Sequence, residues 1–103
     1  MNSPDCCLTL IVPKSLEENL LDLLLEHEAL AGGFITSEVE GHGRNVTYQS
    51  MAEKVRGRAH RIEMKIIMQH TDAQTLLHDI KQALPRADIV YYMTTVTEFG
   101  SFL

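Results

Sequence analysis

The chain has 103 residues, 45% of them hydrophobic, and a formal net charge of −5. That length suits one domain, able to bury roughly two thirds of its unfolded surface without disulfide or metal staples. The acidic balance argues against general nucleic-acid binding, and an apolar run no longer than residues 20–25 falls far short of a membrane span.

Residues 1–5 lack the basic region of a signal peptide, and the two cysteines, Cys6 and Cys7, are adjacent and cannot easily bridge each other in a strand. A reducing, cytoplasmic setting is expected. Residues 6–12 form an almost wholly apolar run ended by Pro13, which predicts a strand buried on both faces and central in a sheet. Ser15-Leu16-Glu17-Glu18 has the form of a capping box, and Leu16, Leu20, Leu23 and Leu24 make a helical stripe. Gly32-Gly33 then predict a helix end near Ala31.

From Gly33 a period-two pattern runs through Ile35 and Val39, against Thr36, Glu38 and Glu40, and stops at Gly41-His42-Gly43. A long, mostly polar stretch follows, with Arg44, Arg56 and Arg58, and is read as a functional loop over residues 44–59. Residues 60–69 give the cleanest alternation in the chain, with Ile62, Met64, Ile66 and Met68 against Arg61, Glu63 and Lys65. Thr71-Asp72-Ala73-Gln74 predicts a second capped helix with Ala73, Leu76, Leu77, Ile80 and Leu84 on one face up to Pro85. Residues 89–97, rich in β-branched and aromatic side chains, predict the last strand.

The order strand, helix, strand, strand, helix, strand predicts an α+β, ferredoxin-like βαββαβ sandwich: a four-stranded antiparallel sheet with two helices on one face. The first strand is apolar on both faces, and the last carries Val90 and Tyr92 on one face with Ile89, Tyr91 and Met93 on the other, so the face without helices exposes an apolar patch either way and a homo-oligomer through it is expected.

Thr36-Ser37-Glu38-Val39-Glu40-Gly41-His42-Gly43-Arg44 resembles the Thr-Glu-Val-Lys-Gly-Phe-Gly-Arg signature of PII signalling proteins, and residues 62–68 are similar to that family's third strand. The resemblance extends over residues 1–103 as one PII-like domain. It implies a non-catalytic homotrimer that binds a small ligand at inter-subunit clefts and regulates a transporter or enzyme through a T-loop. It places Gly41, Gly43, Arg44, Asn45 and Arg61 at the ligand cleft, with Tyr48, Arg56 and Arg58 on the partner-binding loop. An adenine nucleotide is the ligand the resemblance implies. The family's second glycine-rich loop is replaced here by Leu84-Pro85-Arg86-Ala87-Asp88, and its basic tail is missing.

The alternative is a CutA-like or efflux-associated metal-binding module, in which His42, His60, Cys6 and Cys7 supply nitrogen and sulfur ligands. If Ile35 and Val39 share a face with Ile62, Met64 and Ile66, His42 and His60 fall on opposite faces unless a bulge at Gly41 intervenes. No nucleophile–base–orienter pattern, Walker loop or zinc-hydrolase spacing is present, so no enzymatic activity is expected.

Overall fold

The computed structural model describes residues 3–27, 33–42, 51–56 and 59–103, with only the backbone of residues 55 and 56. The elements are β1 (Cys6–Pro13), a 3-10 turn (Lys14–Leu16), α1 (Glu17–Glu26), β2 (Ile35–Gly41), α2 (Met51–Arg56), β3 (Ala59–Met68), α3 (His70–Ala83) and β4 (Val90–Thr95). The strands form one four-stranded antiparallel sheet in the order β2-β3-β1-β4. β1 is central as expected, and the fold is the ferredoxin-like α+β sandwich.

The core lies between the sheet and two helices. β1 and β3 pair Cys6 with Met68, Leu8 with Ile66, Leu10 with Met64 and Val12 with Ile62, so all eight side chains share one face. Leu20 and Leu24 of α1 and Ala73, Leu76, Leu77 and Ile80 of α3 pack on that face and complete the buried cluster. The helical stripes seen in the sequence are therefore the sides of the helices that the sheet dries.

Both helix starts differ from the capping boxes. Lys14–Leu16 tighten into a 3-10 turn after Pro13, and the Glu17 N–H donates to the Lys14 carbonyl, so Ser15 makes no side-chain cap. α3 begins at His70, one residue ahead of Thr71, because the Asp5 carboxylate accepts the His70 N–H at 2.8 Å. An acidic group there meets an otherwise unpaired amide and the positive end of the helix. α1 ends at Glu26; the predicted end near Ala31 lies outside the described residues. The segment read as one irregular loop contains a helix, α2, which Glu53 anchors to β3.

The register of β2 overturns one expectation. Thr36 pairs with Met64 and Glu38 with Ile62, so the even residues of β2 lie on the helix-bearing face. Ile35 and Val39 pair with Lys65 and Arg61 and lie on the helix-free face instead. β2 is an edge strand, and Thr36, Glu38 and Glu40 stay exposed there, where polar side chains cost nothing. The helix-free face thus carries Ile35, Val90 and Tyr92, which are 69%, 58% and 43% exposed. Among the described residues no helix is long and apolar enough to cross a membrane.

Candidate functional site

The base of the loop is built where β2 ends and β3 begins. Gly41 pairs with Ala59, which is fully buried. On the next residue of β3 the backbone is held from both sides. Glu53 of α2 accepts the His60 N–H at 2.9 Å, and the Arg61 guanidinium donates to the His60 carbonyl at 3.0 Å. The second guanidinium nitrogen of Arg61 reaches the Asp88 carboxylate at 3.4 Å, just ahead of β4. Arg61 is 6% exposed and Glu53 5%, whereas the Asp88 side chain is 42% exposed.

Hydrogen bonds to ionised groups are the stronger kind, and water-poor surroundings strengthen them further. The network therefore ties the loop helix, the start of β3 and the approach to β4 into one unit. A carboxylate or phosphate arriving beside Asp88 would compete for the same guanidinium. The resemblance to PII proteins puts Arg61 near the ligand cleft, and nothing in the sequence signals that Glu53 and Asp88 hold its neighbourhood.

The other predicted positions separate. Gly41 closes β2 and His42 follows it; Gly43, Arg44, Asn45, Tyr48 and Arg58 lie outside the described residues, and of Arg56 only the backbone at the end of α2 is described. Cys6 is buried on the helix side, whereas Cys7 is half-buried on the opposite face, its sulfur 3.9 Å from the Thr9 hydroxyl. The two thiols cannot grip one ion together. Burial pushes the Cys6 thiol up, with the nearby Asp5 charge adding to it, which disfavours the thiolate a metal needs.

The register puts Glu40 opposite His60 on the helix-bearing face, and His42, just past the end of β2, sits beside Glu40. The expectation of opposite faces fails because Ile35 and Val39 point away from the core. The His42 imidazole lies 3.9 Å from the Glu40 carboxylate. Even so, no three His, Cys, Asp or Glu side chains gather into a ligand set among the described residues.

Two further charged contacts frame the fold. Lys14 and Glu38 meet at 2.6 Å across the exposed side of β2, which lowers the Glu38 carboxyl and raises the Lys14 ammonium. His27, at the end of α1, is 2.8 Å from the Leu23 carbonyl through Nδ1 and 3.0 Å from the Asp79 carboxylate through Nε2. On the helix-free face Cys7, Phe34, Ile35, Lys65, Ile67 and Phe99 line an open hollow of about 360 Å³.

A search of curated protein sequences found no match. Among solved structures, a DUF3240 family protein from Shewanella baltica OS155 superposes with a TM-score of 0.77 at 19% identity, over 99% of this chain and 100% of that one. CPII, a nitrogen regulatory PII-like protein from Thiomonas intermedia K12 bound to ADP, AMP and bicarbonate, superposes with a TM-score of 0.66 at 17% identity over 90% of each chain. The family described as "Protein of unknown function (DUF3240)" matches residues 2–103. The chain therefore belongs to that family, and its fold is that of the PII-like proteins.

Proposed function

We propose that this protein is a non-catalytic, cytoplasmic PII-like regulator: a homotrimer that takes a small anionic ligand at its loop base and acts on a partner transporter or enzyme through residues 44–59. The observation that carries the reading is the Glu53–His60–Arg61–Asp88 network. It sits at the position the sequence motif marks, and it couples the loop helix to a buried guanidinium whose carboxylate partner faces water. The uncovered Ile35, Val90 and Tyr92 supply the apolar surface that a trimer needs. The likeness to CPII makes ADP, AMP and bicarbonate the first ligands to try.

In this reading Gly41, Gly43, Arg44 and Asn45 surround the ligand, Arg61 shifts part of its pairing from Asp88 to the ligand, and Tyr48, Arg56 and Arg58 meet the partner. The test combines calorimetric titration of ADP, AMP and bicarbonate with sedimentation of the free protein. A trimer whose affinity for one of these ligands falls in Arg44→Ala, with assembly unchanged, supports the reading. A monomer, or a trimer whose ligand affinity ignores Arg44→Ala, refutes it.

The second reading, a divalent-metal module, would draw on His42 and His60 rather than the cysteines; it is supported by Glu40 pairing with His60 and lying 3.9 Å from the His42 imidazole. Zinc, copper and nickel titrations of wild type and His42→Ala decide that reading; uptake unchanged by the substitution removes it.

A further inference from the structure

On the helix-bearing side, across the connection that carries Asp88, the C-terminal half of α3 and the edge strand β4 leave a cavity of about 410 Å³. Leu77, Ile80 and Leu84 come from the helix side, Ile89 and Tyr91 from the β4 side, and Leu10 of β1 contributes from the centre of the sheet. Packed interiors leave few voids larger than a water molecule, whereas small-molecule sites occupy roughly 300–1,000 Å³. The volume belongs to the second class.

The charges at this cavity are of one sign. Lys81 and Arg86 are the only charged residues that line it, in a chain with 14 acidic and 9 basic residues. The Lys81 ammonium lies 5.2 Å from the centre of the Tyr91 ring. A cation in the last turn of α3 also complements the helix dipole, which accounts for Lys81 alone.

Arg86 needs another reason. It has a φ of 60°, the only positive value at a non-glycine among the described residues. It follows Pro85 in a turn closed by the Ala87 N–H on the Leu84 carbonyl at 3.3 Å. Glycine is the ordinary residue for that place, and a side chain there is strained by the contact of its Cβ with the following carbonyl. Among the described residues nothing hydrogen-bonds or ion-pairs with the Arg86 guanidinium. Strain of this kind tends to persist at functional positions.

We propose that the α3–β4 cavity binds an amphipathic anion, a carboxylic acid with a linear apolar chain, whose chain fills the Leu10–Leu77–Ile80–Ile89–Tyr91 space and whose carboxylate meets Lys81 and Arg86. Aliphatic walls favour a hydrocarbon body, and they offer a nucleotide's sugar and base few polar partners. The cavity opens on the helix-bearing side, whereas Arg61 meets Asp88 on the helix-free side of the same connection, so decanoate shifts at the cavity methyls and the Arg44→Ala ligand test read the two sites independently.

Decanoate is the probe, titrated into the full chain and followed by methyl NMR and calorimetry, with decanol, acetate and ADP in parallel. The expected result is decanoate shifts at the methyls of Leu10, Leu77, Ile80, Leu84 and Ile89, weaker binding of decanol, and no acetate or ADP response at those methyls. Lys81→Gln and Arg86→Gln are each expected to weaken decanoate about tenfold, the loss of one charge-assisted contact. Both side chains are exposed, so neither change threatens folding. Shifts confined to Ile35, Ile67 and Val90 would overturn the proposal, as would equal affinities for decanol and decanoate. So would an affinity untouched by both substitutions. Phe102 and Leu103 are fully exposed; if Phe102→Ala alone moves the cavity methyls in ligand-free protein, the tail is the occupant and the proposal fails.

Discussion

Val90→Glu is the sharpest test of the trimer. Val90 pairs with Ile11 on the helix-free face and is 58% exposed. Complete burial of an aliphatic side chain is worth about 1.5–3 kcal/mol, so covering the exposed part gains roughly 1–2 kcal/mol per subunit in the assembly. A glutamate placed there loses that gain and puts an unpaired carboxylate into the contact in every copy, a penalty of several kcal/mol. In the free subunit the same carboxylate stays in water, and the fold loses no more than about 1 kcal/mol. Sedimentation at micromolar concentration should therefore show wild type and Val90→Ala assembled, and Val90→Glu as folded monomer by circular dichroism. An assembled Val90→Glu with unchanged dissociation refutes the interface, and an unfolded one refutes the claim that the face is uncovered in the subunit.

The His27 clasp should make stability depend on pH. Both ring nitrogens face acceptors, the Leu23 carbonyl first and the Asp79 carboxylate second, so only the imidazolium donates to both and its pKa is raised above 6.5. A raised value means that the contribution is complete below about pH 6.5 and is lost as pH climbs through the folded-state pKa. Urea unfolding of wild type minus His27→Ala should give a difference of at most about 1 kcal/mol at pH 5.5 that shrinks by pH 9; a difference that grows with pH contradicts the pairing. Arg86→Gly should leave the fold as stable as wild type or up to about 1 kcal/mol more stable, because relief of the positive φ offsets glycine's greater unfolded freedom; a clear loss in denaturant unfolding would show the strain argument to be wrong. Leu8→Ala, at a fully buried position, should cost roughly 3–5 kcal/mol in the same assay and Leu25→Ala, 62% exposed, under about 1 kcal/mol; comparable losses would misplace the core.

The sequence by itself determined the four strands, the two core helices and their order, but not the short helix α2 inside the loop. Alternation at Ile62, Met64, Ile66 and Met68, and the Ala73–Leu76–Leu77–Ile80 stripe, each name a buried face, because the periods of strand and helix are properties of the local backbone. The motif from Thr36 to Arg44 led to the PII-like fold and to Arg61 beside the loop. Tertiary structure decided which face β2 shows the core. A strand's period identifies its two sides without saying which is inward, and a shift of one residue exchanges them, which is why Ile35, Val39, His42 and His60 were misplaced. It also decided the company Arg61 keeps. Asp88 is 27 residues away along the chain, so only folding brings its carboxylate to the guanidinium. The cavity under Lys81 and Arg86 has the same origin: each wall reads in sequence as ordinary core, and the space exists only because α3 and β4 stand apart.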